Sequence, residues 1–134
     1  MYTVETIQAD KAGTLVEITE RVKEIVALSG VKSGIAVINT PYDDAGILCT
    51  SFYDPKGHED IIDDFNRIWP ARNDFHCKSD AVRCAAHSKA AVGKQSMDFI
   101  VEDGELKLGG SQGIFFAEYC EPSKREYTVT LLGA

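Results

Sequence analysis

No stretch of this chain is apolar for long enough to cross a bilayer, and the opening residues Met1 to Asp10 carry neither a basic leader nor the apolar centre of a secretory signal. Basic charge is scarce too: 14 lysines and arginines face 21 aspartates and glutamates, a net charge of −7 spread along the chain. A surface that tracks nucleic-acid phosphates needs the opposite balance, which excludes nucleic-acid binding as a function class. The 4 cysteines, at 49, 77, 84 and 120, form no C-x-x-C pair and lack the close, regular spacing of a disulfide scaffold. These absences together predict a reduced cytoplasmic protein with no membrane partner and no disulfide. Only 4 prolines occur, and neither a Pro/Gly/Ser-rich linker nor a repeat divides the sequence, so one domain is expected over 1–134. What is present is a 44% apolar share, sufficient for one continuous core without metal or crosslinks.

Periodicity places the elements. Residues 2–9 alternate imperfectly and read as an edge strand, and Leu15 to Ile18 as a short second strand. Thr19 is then the expected N-cap of a helix whose Val22, Ile25, Val26 and Ser29 share a face, and Gly30 closes it. Two short apolar runs, Gly34–Ile38 and Ala45–Cys49, predict central strands around the polar connection Asn39 to Asp44. From Gly57 to Trp69, Ile61, Ile62, Phe65, Ile68 and Trp69 recur at helical spacing until Pro70 stops the pattern, with Asp63 and Arg67 placed to pair at i, i+4. An alanine-rich third helix spans Asp80 to Val92, capped by Ser79 or Asp80. Thereafter the period is two: Met97 to Glu102, a D-G turn at Asp103-Gly104, then Leu106–Leu108, Gly113–Tyr119 and Glu126–Leu132. The sum is an α+β fold, antiparallel β-sheets in a sandwich-like stack covered by two or three helices.

Five side chains stand out as candidates for chemistry. His87 lies on the third helix one turn after Arg83, among small neighbours that leave its imidazole reachable; the alternative is a surface histidine bonded to a neighbour. His76, in the loop before that helix, can fold over its open face, and two imidazoles in one pocket are metal ligands or a proton-transfer pair. Glu118 interrupts an otherwise apolar strand, where a carboxylate is too costly unless a cation or metal sits opposite; the alternative is a glutamate on a solvent-facing side. Asp43 and Asp44 form a carboxylate pair able to hold a metal or a cationic group, and equally suit a solvated turn. The glycine-rich segment Gly109 to Gly113 lacks phosphate-loop grammar and reads as a flexible turn.

The chain carries, in this order, Leu28-Ser29-Gly30-Val31 followed by Gly34, Ala45-Gly46-Ile47, Phe75-His76, Ala85-Ala86-His87-Ser88-Lys89, Glu102 to Gly109, and Gln112-Gly113-Ile114-Phe115-Phe116-Ala117-Glu118-Tyr119. In order and spacing these strings resemble the YjbQ family, whose members carry the name secondary thiamine-phosphate synthase. The resemblance runs nearly end to end. It implies a YjbQ-like α+β domain assembled as a homotrimer, with the site near subunit interfaces. It also implies a reaction joining a pyrimidine diphosphate to a thiazole phosphate, so a small phosphorylated molecule is the implied partner. His76, His87, Gln112 and Glu118 are the implied catalytic set, and His76, His87 and Asp44 the implied ligands of a divalent metal, zinc or magnesium. The chain departs from the family pattern where His-Thr-Thr-Ala becomes Tyr42-Asp43-Asp44-Ala45 and Asn-Ala-Asp-Ala-His becomes Arg83-Cys84-Ala85-Ala86-His87. Ser111 replaces the tryptophan before Gln112, and Cys120 departs from the acidic stretch after Glu118. Three readings follow: a divergent synthase, a non-catalytic trimer binding a metal or small anion, or a scaffold whose site has decayed.

Overall fold

A computed structural model describes residues 2–134. Eight strands and three helices follow one another as β1 (Tyr2–Ala9), β2 (Thr14–Glu17), α1 (Thr19–Ser29), β3 (Ser33–Asn39), β4 (Ala45–Ser51), α2 (Pro55–Ile68), α3 (Ala81–Val92), β5 (Ser96–Glu102), β6 (Glu105–Leu106), β7 (Gln112–Glu118) and β8 (Ser123–Gly133). The strands form a five-stranded sheet in the order β1-β8-β3-β5-β6 and a three-stranded sheet in the order β2-β7-β4. Every pairing is antiparallel, as the α+β expectation requires.

The core explains this layering. Val22, Ile25 and Val26 of α1 pack with Ala36, Ile38, Val129 and Leu131 of the large sheet and with Ile47, Ile114 and Phe116 of the small one. A second cluster on the other side of the small sheet joins Ala86 and Ala90 of α3 to Ala117, Tyr119 and Cys120, with Phe65 of α2 against it. The small sheet is thus sandwiched, and β7 is buried from Gly113 to Glu118. A strand covered on both faces needs no alternation, which is why Ile114-Phe115-Phe116 reads as an unbroken apolar run. Burying each of those side chains stabilises the fold by roughly 1.5–3 kcal/mol.

The large sheet is covered on one face only. Val4, Ile35, Ile100 and Leu132 stay exposed on the other, and Ile35 stands directly opposite both Leu132 and Ile100. No helix among the described residues is long and apolar enough to cross a membrane.

Local chemistry sets the boundaries, with some differences from the pattern reading. Gly30 ends α1 in the left-handed conformation (φ 74°), and Asp103 and Gly104 take positive φ in the tight β5–β6 turn. Asp80 caps α3 by accepting from the Arg83 N–H, whereas Thr19 is not a cap. Its buried hydroxyl is committed to β7, accepting from the Ile114 N–H at 2.9 Å, so Ile18 takes the cap position. The second helix starts two residues earlier than its apolar period because Asp54 caps it and Pro55 fits its first turn. Arg67 pairs with Asp64 rather than Asp63. Finally, β3 is central in its sheet but β4 is an edge strand of the other.

Candidate functional site

Glu118 ends β7 beside β4, where it stands in register with Ala45. Its carboxylate is fully buried and satisfied from three directions. Arg125 of β8 reaches it twice, Nε to Oε1 at 2.7 Å and Nη2 to Oε2 at 2.9 Å, and the backbone N–H groups of Cys120 (3.0 Å) and Glu121 (3.4 Å) donate to Oε2. The same Nη2 lies 3.1 Å from Oδ1 of buried Asp44, whose Oδ2 accepts from Arg83 Nη1 at 2.9 Å. Arg83 extends outward to Glu121 through Nη2 at 3.0 Å. Tyr42 completes the cluster: its ring faces the Arg125 guanidinium 4.6 Å from the centroid, and its hydroxyl accepts from the Glu126 N–H at 2.8 Å.

A buried carboxylate is tolerable only when paired and hydrogen-bonded, and here both are. The hydrogen bonds that Arg125 donates to Glu118, and then to Asp44, raise its pKa despite its burial, so the guanidinium is permanently charged. The cation demanded by Glu118 is therefore Arg125, not a histidine or a metal. Arg125 was legible, since it shares strand phase with buried Tyr127, Val129 and Leu131; a strand begun at Glu126 leaves it out.

The other candidates lie elsewhere. His87 is 39% exposed, with Nε2 3.7 Å from Asp43 Oδ1, and this is the polar pair that faces solvent at the cluster's rim. His76 is exposed in the loop between α2 and α3. Gln112 sits at the opposite end of β7 from Glu118, roughly 20 Å away at the rise of a strand, where its side chain accepts from the Gly109 N–H at 2.7 Å. One chain thus gathers Glu118 and Asp44, brings His87 to their edge, and keeps Gln112 apart. Five clefts on the described surface are lined by none of His76, His87, Gln112 and Glu118. Among the described residues no group of three or more His, Cys, Asp and Glu side chains could hold a metal ion. Asp44, with both oxygens engaged by arginines, does not fit a ligand role beside His76 and His87.

The expectation of no disulfide is overturned: Cys77 and Cys84 are bonded, with Cα atoms 5.9 Å apart. The spacing rules sought close pairs or a scaffold, whereas this bond ties a returning loop to the first turns of α3 and anchors the residue next to His76. Cys49 and Cys120 are free, and burial pushes both thiols up, Arg83 partly opposing this at Cys120.

With this geometry in hand, the family model described as "UPF0047 protein YjbQ-like" matches residues 3–134. The chain belongs to the YjbQ-like UPF0047 family. A UPF0047 protein of Methanocaldococcus jannaschii is 37% identical over 128 residues, covering 95% of this chain and 91% of that protein. The UPF0047 protein YugU of Bacillus subtilis is 32% identical, covering 95% and 96%. Among solved structures, a YjbQ/UPF0047 protein of Clostridium acetobutylicum, described as uncharacterized, superposes with a TM-score of 0.92 at 32% identity over 97% of this chain and 99% of its own. A protein of unknown function from Sulfolobus solfataricus gives 0.88 at 30% identity, covering 100% and 99%. The YjbQ scaffold is thus shared end to end. Tyr42, Asp44 and Arg83 are linked through Arg125, each touching it or a partner of it.

Proposed function

We propose that this chain is a small-anion-binding homotrimer on the YjbQ scaffold that does not carry out thiamine-phosphate synthesis. The observation that carries this reading is the closed ion network: Asp44 and Glu118 are both engaged by Arg125, with Arg83 on the outer oxygen of Asp44. A carboxylate held this way does not ligate an ion, because doing so would strand a buried guanidinium. Displacing pyrophosphate from a methylene carbon calls for a metal or free cations on the departing group. Arg83 and Arg125 are spent on acids, and His87 faces Asp43. The trimer is supported by the uncovered apolar face of the large sheet, a surface of the kind assembly buries. An anion is recommended as ligand by Lys89, a basic side chain without an acid partner among the described residues.

The test is formation of thiamine phosphate from the pyrimidine diphosphate and thiazole phosphate with magnesium present, by wild type, His87→Ala and Glu118→Gln. The expected outcome is no product above the protein-free background in any of the three. Product from the wild type that His87→Ala abolishes would overturn this reading.

A further inference from the structure

Four charged side chains are buried among the described residues: Asp44, Glu118, Arg125 and Lys89. The first three pair with one another, and Arg83 supplies the second cation, on Asp44. Lys89 is the exception. It is 6% exposed, and its Nζ makes one hydrogen bond, to Oδ1 of Asn66 at 2.5 Å, with no carboxylate among the described residues within ion-pair distance. An ammonium carries three donors, so two remain unspent, and a buried cation without a counter-ion costs several kcal/mol. Loss of hydration lowers the Lys89 pKa, the same cost seen from the proton's side.

The surroundings are those of a binding cleft. Lys89, Ala85 and Val82 occupy one face of α3 at helical spacing, two residues and about half a turn away from His87. With Asn66 and Ala71 from the end of α2, Gly13 and Tyr119, they line a hollow of about 200 Å³ between the two helices. Its walls are mostly apolar, the polar groups being Asn66, the ammonium and the phenol of Tyr119. A pocket of this kind, mostly apolar with one directed charge, suits a compact ligand bearing a single anionic head.

We propose that the α2–α3 cleft binds a small organic anion, a phosphate monoester or carboxylate with a compact apolar body, whose head takes the two free Lys89 N–H groups and supplies the counter-ion that the chain itself omits. The site lies within one chain and on the other face of α3 from His87. It gives the anion-binding part of the proposed function its location, and it rests on that part alone, not on the assembly or on the absence of turnover.

The experiment is calorimetric titration of the full chain with phenyl phosphate and with benzoate, and with phenol as the uncharged control, for wild type, Lys89→Met and, as a control at an exposed lysine outside the cleft, Lys56→Met. Wild type is expected to bind at least one anion and not phenol; which anion binds identifies the head group. Lys89→Met is expected to weaken binding at least about tenfold, the worth of one charge-assisted hydrogen bond. Lys56→Met, which removes the same charge away from the cleft, is expected to bind as wild type does. Equal binding by Lys89→Met, loss in Lys56→Met as large as in Lys89→Met, or no binding of either anion by wild type would overturn the proposal. Should Lys89→Met fail to fold, amine acylation of the wild type read by mass spectrometry decides: phenyl phosphate must protect Lys89 selectively over the exposed lysines, and failure to do so refutes the site. Synthase activity with an occupied cleft would sink the non-catalytic reading and leave this one standing.

Discussion

Arg125 is the residue on which the buried charges depend. Replacing it with methionine keeps volume and removes the cation, leaving Glu118 buried with only the Cys120 and Glu121 N–H groups and the inner oxygen of Asp44 without its cation. The expected loss is about 3–5 kcal/mol, read from urea denaturation midpoints. Tyr119 gives the opposite case: its hydroxyl is buried without a partner, and Tyr119→Phe should stabilise the chain by about 1 kcal/mol. Burial also raises the pKa values of Tyr119 and Tyr127, the latter to about 12. Above the ordinary phenol value the unfolded chain releases protons that the folded chain retains, so stability falls as pH rises through that range. Tyr119→Phe should therefore flatten the alkaline end of the stability curve, which thermal melts between neutral and strongly alkaline pH would register. Glu118 was legible at this scale because a carboxylate in an apolar strand demands a cation. Which cation, and that Asp44 shares it, was not, because Arg125 and Asp44 are 81 residues apart and meet only through sheet stacking.

Elements were legible where period and punctuation agreed. The α2 pattern of Ile61, Ile62, Phe65, Ile68 and Trp69 is a true helical face, yet it is only half-buried, a distinction that periodicity alone does not draw. Gly30, Asp80 and Asp103-Gly104 act as their chemistry indicates. The Cys77–Cys84 bond was invisible, since a spacing of seven residues becomes a crosslink only after the loop turns back onto α3. Reducing it, or introducing Cys77→Ser, should make the segment between α2 and α3 the earliest site of limited proteolysis while the sheets stay intact, as resolved by mass mapping of the first fragments. The join between β4 and the α3–β5 connection is equally exacting. A Cβ at Gly46 would lie 2.7 Å from the Lys94 carbonyl oxygen and 3.3 Å from the Tyr119 hydroxyl. Gly46→Ala should accordingly cost about 1–3 kcal/mol by the overpacking it forces, measured by the same denaturation.

At the scale of the whole molecule, the uncovered face of the large sheet bears on assembly. Ile100 lies on β5, 56% exposed and opposite Ile35 of the central strand β3. Ile100→Glu should convert a species of three times the 14.7 kDa chain mass into one of single mass in light scattering, with the circular dichroism spectrum unchanged. A single-mass species in the wild type would refute the proposed assembly. The layered architecture was legible in the count and order of strands, but the division into two sheets was not. The runs before and after the Asn39 to Asp44 connection look like neighbours in sequence and lie in different sheets.

Arg125 belongs to the large sheet, while Glu118 ends a strand of the small sheet and Asp44 immediately precedes another. A guanidinium shared by carboxylates from the facing layer acts as a rivet at one corner. Sliding the layers would tear it, so thermal breathing is confined to a book-like parting whose spine is this corner and whose free margin is the Gln112 end, where amide protons of the small sheet should exchange first.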